Sequence, residues 1–136
     1  MKKIIFILLL FVFACSKEEP KLELFSAEAF AFQLDTTWEL NSSARVKGFK
    51  NIETDSGYIG KVEYHVNFYT PGQDTIKNLD FGVLNYSGIE EGTEMVIELQ
   101  VELDETFKPG KYFIEYIAGD KNKPELDTLK INFELN

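Results

Sequence analysis

Met95, Ile97, Leu99, Val101 and Leu103 alternate with Val96, Glu98, Gln100, Glu102 and Asp104. Apolar side chains at a spacing of two cannot line one face of a helix. They do line one face of a strand whose other face is wet. The alternation returns at Leu129, Ile131, Phe133 and Leu135, and at Val62, Tyr64, Val66 and Phe68. Tyr112, Ile114, Tyr116 and Ala118 form another such face, although Phe113 and Ile117 behind them are also apolar. Trp38, Leu40, Ala44 and Val46 mark an early strand. Phe30, Phe32 and Leu34 mark one before it with these large side chains inward, though Ala27 to Ala31 would also tolerate helix. Pro71-Gly72, Ser87-Gly88, Glu91-Gly92 and Pro109-Gly110 fall between the runs as turn signals. The expectation is all-β: an antiparallel sandwich of about seven to eight strands over residues 23–136.

The first twenty residues have a different grammar. Lys2 and Lys3 precede an unbroken apolar run from Ile4 to Phe13, then small Ala14, then Cys15, the one cysteine of the chain. This is the layout of a secretory signal, and its apolar run is too short for the roughly twenty residues that span a bilayer. Val12-Phe13-Ala14-Cys15 resembles the lipobox of bacterial lipoproteins. The resemblance implies cleavage between Ala14 and Cys15, diacylglycerol on the Cys15 thiol and acylation (palmitate or a similar chain) of the new amino group. Residues 1–14 would then be the signal peptide and 15–22 a lipidated flexible tether. Lys17-Glu18-Glu19 after Ser16 resembles the export signal of Bacteroidota surface lipoproteins. That implies lipid anchorage in the outer membrane with surface display; anchorage on the periplasmic face is the other reading.

Loss of the leader takes the formal net charge from −9 to −11, with 12 basic against 23 acidic residues. Such a surface repels phosphate backbones, so nucleic acid is excluded as a partner. With Cys15 acylated no disulfide forms, and stability must come from apolar packing, to which 12 Phe and 6 Tyr contribute.

The stretch Lys108-Pro109-Gly110-Lys111-Tyr112, followed by an alternating strand and Gly119-Asp120-Lys121-Asn122, resembles a segment common in bacterial immunoglobulin-like domains. The resemblance implies an immunoglobulin-like sandwich, with Tyr112 at the start of the penultimate strand tying down a neighbouring turn through its hydroxyl.

Residues that could carry chemistry are sparse. His65 is the one histidine and is expected on the polar side of its strand; without another His or a free Cys it cannot build a usual zinc site. No glycine-framed nucleophile accompanies it. Glu90/Glu91 and Asp104/Glu105 read as solvated edges rather than a glycosidase pair. Asp120, Asn122 and Asp127, or Asp74 and Asp80, offer hard oxygens for calcium but lack a known loop spacing, so no metal or other cofactor is expected. Asp35-Thr36-Thr37, Asp74-Thr75-Ile76 and Asp127-Thr128-Leu129 resemble O-glycosylation sites of exported Bacteroidota proteins, which implies glycans on Thr36, Thr75 and Thr128. Asp-Thr is equally good turn chemistry. Tyr58, Tyr69, Tyr86 and Phe113 could form a binding platform or pack beneath loops.

The functional expectation is a non-enzymatic, lipid-anchored envelope protein acting as an interaction or accessory module for a protein or glycan. The alternative is a carbohydrate-binding accessory of an outer-membrane polysaccharide uptake system.

Overall fold

The computed structural model describes residues 19–136, so the leader, Ala14 and Cys15 lie outside the described residues. It contains eight strands: β1 (Glu23–Leu34), β2 (Thr37–Lys47), β3 (Ile52–Thr54), β4 (Gly57–Tyr69), β5 (Thr75–Gly88), β6 (Glu94–Leu103), β7 (Gly110–Asp120) and β8 (Leu126–Leu135). All pairings are antiparallel. A smaller sheet runs β1-β2-β6, and a larger one runs β3-β4-β7-β8 with β5 on β4. The all-β sandwich expected from the alternation is the observed architecture.

Burial follows the period of two. Leu40, Ala44 and Val46 of β2, Ile97 and Leu103 of β6, Val62, Val66 and Phe68 of β4, and Ile114, Tyr116 and Ala118 of β7 are almost wholly enclosed. Phe68, Tyr112 and Phe133 pack ring on ring, with centroids 5.4 to 5.8 Å apart. Each ring removes a large apolar area from water, so this cluster is a principal source of stability in a domain without a disulfide. The Tyr112 hydroxyl donates to the Lys108 carbonyl four residues upstream and fixes the Pro109-Gly110 corner.

β1 departs from expectation. It is a strand, but its large side chains face the wrong way: Phe30, Phe32 and Leu34 are 48%, 53% and 47% exposed. Ala27, Ala29 and Ala31 pack against the core instead. The cause is a β-bulge. Phe25 pairs with Arg45 and Glu28 with Ser43, so Ser26 and Ala27 together oppose Ala44. Ser26 takes φ 50°, in the left-handed region. One extra residue reverses the inside-outside parity of everything after it. Even-numbered Leu22 and Leu24 are buried before the bulge, and odd-numbered alanines turn inward after it.

β5 is a strand that the alternation does not reveal. Val66 pairs with Asp80 and Phe68 with Ile76, so three residues of β5 bulge opposite Asn67. Asn78 sits there at φ 53°, and its amide donates to Asn67 Oδ1 at 3.1 Å. Below the bulge, Phe81 and Val83 face out while Leu84 and Tyr86 pack against the core. An apolar residue on each face hides the period.

The two sheets are joined along one seam by side chains. Lys123 Nζ donates to the Pro20 carbonyl at 2.6 Å, the Leu22 amide donates to Glu125 at 2.9 Å, and the Leu24 amide donates to Asp127 at 2.7 Å. Lys123 also reaches the Gly48 carbonyl. Gly48 has φ +78°, and a Cβ there would collide with the Lys21 carbonyl oxygen. The folded body therefore grips the chain from Pro20 onward, within the stretch 15–22 expected to be free tether.

Candidate functional site

The parity reversal at Ser26 creates the most unusual surface of the smaller sheet. Across its outer face Phe30 is aligned with Asn41 and Gln100, and Phe32 with Glu39 and Glu102. Two aromatic rings on an edge strand thus adjoin two rows of planar polar groups. The rings pack edge to face, centroids 5.1 Å apart, which orients each against the other.

The polar rows are ordered by their own bonds. Asn41 Nδ2 donates to Glu39 Oε1 at 2.9 Å, and Gln100 Nε2 donates to the same oxygen at 3.0 Å. The Asn41 bond and then the Gln100 bond hold the Glu39 carboxyl below the usual carboxylate range, so it is ionised at neutral pH. A shallow depression of about 330 Å³ lies beside this network, lined by Phe30, Asn41, Ser43, Glu98 and Gln100 among others. Glu28, Glu39, Glu98 and Glu102 belong to none of the ion pairs among the described residues. The two cations of β2 are engaged lower down, Arg45 with Glu94 at 2.6 Å and Lys47 with Glu23 at 3.6 Å.

The larger sheet carries a second feature. One row across it reads Phe81, His65, Ile117, Thr128, and the next reads Val83, Glu63, Gly119, Leu126. All of these but Thr128 line an open groove of about 470 Å³, with Phe81 and Leu126 strongly exposed. His65 faces outward with Glu63, as the alternation of its strand predicts, and sits half-buried between the apolar Phe81 and Ile117. Glu63 is held by Lys121 at 2.5 Å. Higher on this face Glu115 accepts from Asn67 at 3.1 Å and Tyr69 at 3.0 Å, with Lys130 at 3.7 Å. Burial works against the Glu115 charge, but these bonds and the lysine outweigh it and hold its carboxyl below the usual range.

The residues singled out by sequence are dispersed. Thr36, Thr75 and Thr128 are all exposed: Thr36 in the β1–β2 turn, Thr75 at the start of β5, Thr128 on β8. Asp35 takes φ 53° in that two-residue turn, the turn chemistry foreseen for Asp-Thr. Asp127 is committed to Leu24, and Asp120 accepts the amides of Lys50 at 2.5 Å and Asn122 at 2.8 Å. Among the described residues no three His, Cys, Asp or Glu side chains converge as a metal site. Of the four suggested platform aromatics, Tyr69 and Phe113 are neighbours on the larger sheet. Tyr86 instead packs on Phe49, and its hydroxyl donates to Glu90 O. The alternation alone predicts Phe30 and Phe32 as core, and the sequence offers no sign of this face beyond the charge-free run Ala29–Leu34.

No protein-family model matches the chain, and no curated protein matches it. Solved structures are similar to it at low identity. One is a family 123 glycoside hydrolase from Clostridium perfringens, described for glycolipid glycan hydrolysis. It is 15% identical with a TM-score of 0.50, over 72% of this chain and 21% of that one. A protein from Archaeoglobus fulgidus is 13% identical, TM-score 0.38, over 84% of this chain and 98% of that one. A β-glucosidase from Erythrobacter marinus is 15% identical, TM-score 0.36, over 84% and 15%. The chain thus spans about a fifth of the Clostridium enzyme, and the likeness concerns fold alone.

Proposed function

We propose that this chain is a non-catalytic interaction module of the cell envelope, held in the membrane by acyl chains on Cys15. It meets its partner with the outer face of the smaller sheet. The observation that carries this reading is the outward placement of Phe30, Phe32 and Leu34 beside the hydrogen-bonded Glu39, Asn41 and Gln100. A contiguous exposed apolar strip on a small domain marks a binding surface more often than an accident of packing. The sandwich is of immunoglobulin-like type in this reading, supported by the Tyr112–Lys108 bond.

The non-catalytic reading is supported by the lone His65, which has no glycine-framed nucleophile in the sequence to act on. Anchorage rests on the Val12–Cys15 lipobox and on the Lys17-Glu18-Glu19 run. Glycans on Thr75 and Thr128 would stand on the larger sheet, whereas one on Thr36 would stand in the β1–β2 turn at the end of the binding face. A specialised form of the reading is an accessory of polysaccharide uptake, favoured by the ring-and-amide composition of the face.

The test is genetic and chemical together. A Phe30→Ala/Phe32→Ala variant expressed from the native locus should be made, folded and lipidated at Cys15 by mass spectrometry, yet behave as a deletion. Wild-type behaviour wherever the deletion has a phenotype would overturn the assignment of the face. An unmodified residue 15 would overturn the anchor.

A further inference from the structure

We infer that the outer face of the smaller sheet binds an uncharged, polyhydroxylated ligand, a neutral glycan, with its sugar rings on Phe30 and Phe32 and its hydroxyls on Glu39, Asn41 and Gln100. This rests on the interaction-module reading of the same face and goes further by naming the ligand.

The polar groups decide the class. One amide hydrogen of Asn41 and one of Gln100 are spent on Glu39. What remains is mostly acceptor: two amide carbonyl oxygens, the second Glu39 oxygen and the carboxylates of Glu98 and Glu102, while Arg45 and Lys47, farther along the same face of β2, are paired with Glu94 and Glu23. A complementary ligand must be rich in donors, which a chain of hydroxyls is. Four glutamates outside any ion pair among the described residues repel phosphate, sulfate and uronate, so the glycan is not anionic. They also disfavour a second copy of a domain that itself carries a strong negative charge. Protein interfaces deplete Glu at their centres, whereas Glu39 sits in the middle of this face. A glycan fits better than a protein.

The rings and their surroundings fit as well. The apolar face of a pyranose stacks on an aromatic ring, and two mutually braced rings give neighbouring platforms along the strand. The depression beside Phe30, about 330 Å³, has room for a sugar ring. Because Glu39, Asn41 and Gln100 hold one another, little side-chain entropy is lost when the ligand arrives.

The experiment uses the lipidated full-length protein in detergent on a printed array of neutral, anionic and amino glycans, with Lys-rich peptides alongside, at low and high salt. Neutral glycans should retain it with a signal that survives high salt. Phe30→Ala/Phe32→Ala should weaken that signal about tenfold, and Gln100→Ala, which leaves the rings in place, should weaken it by several-fold. No neutral glycan retained, retention unaffected by these variants, or retention by Lys-rich peptides alone with loss at high salt would each overturn the inference. If the double variant behaves as a deletion in cells while the array shows no neutral glycan, the ligand class fails and the interaction module stands.

Discussion

The Asp127 carboxylate accepts the Leu24 amide at 2.7 Å, and the two residues lie 103 positions apart. The same separation recurs at Glu125–Leu22 and Lys123–Pro20. Side chains at every second position of the β7–β8 connection and β8 thus satisfy backbone groups at every second position of the entering chain. They do the work that a parallel ladder would do. The arrangement closes an edge where the two sheets would otherwise part.

Replacing Asp127 with Ala removes a charged acceptor from a partly buried amide. Stability should fall by about 1–3 kcal/mol, measured by urea unfolding. Amide exchange at Leu24 should quicken more than at Val46, which lies opposite it in β2. Equal loss of protection at both amides would mean global weakening rather than a local grip.

Tyr116 donates to Ser42 Oγ at 2.5 Å across the core, and Ser42 passes the bond on to the Glu28 carbonyl at 2.7 Å. Burial pushes the phenol up to about 12 from its ordinary 10.0. The folded state therefore keeps a proton that the unfolded chain gives up sooner. This contribution is complete below pH 10 and is lost as pH rises from 10 toward 12. Tyr116→Phe should cost about 1 kcal/mol at neutral pH and flatten the decline of stability across that alkaline window. An unchanged decline would assign the alkaline sensitivity to other groups.

Deleting Ser26 removes the extra residue of the bulge. Phe25 would then be followed directly by Ala27 opposite Ala44, so the alanines stay inward and Phe30, Phe32 and Leu34 stay outward. Deleting Ala29 instead, with the bulge retained, turns Phe30, Phe32 and Leu34 into space shaped for alanines. Overpacking costs about 1–3 kcal/mol per site, so that variant should lose several kcal/mol in urea unfolding while the Ser26 deletion is tolerated. A Ser26 deletion that costs as much as the Ala29 deletion would show that Ser26 is not the extra residue of β1.

Most of the fold was legible because single-faced strands such as β6 and β8 write their burial directly into their sequence. Leu99 and Phe133 are where the alternation put them. The failures have physical causes. Ser26 and Asn78 adopt left-handed backbone conformations that change parity or register, and neither is a glycine that would have flagged it. β5 carries apolar side chains on both faces, which erases the period. The candidate face was hidden by the first of these devices: Phe30 and Phe32 look like core in sequence and become surface through one inserted residue. Asp120 and Asp127, noticed as hard oxygens, serve as acceptors for backbone amides, and that role depends on contacts far away in sequence.

Urea unfolding of Phe30→Ala/Phe32→Ala tests the outward placement of these rings most directly. Rings on the outer face should be removable for less than about 1 kcal/mol each, with no change in the slope of the unfolding transition. A loss of about 3–5 kcal/mol per ring, the cost of truncating a core phenylalanine, would put them inside the sandwich and contradict the binding face.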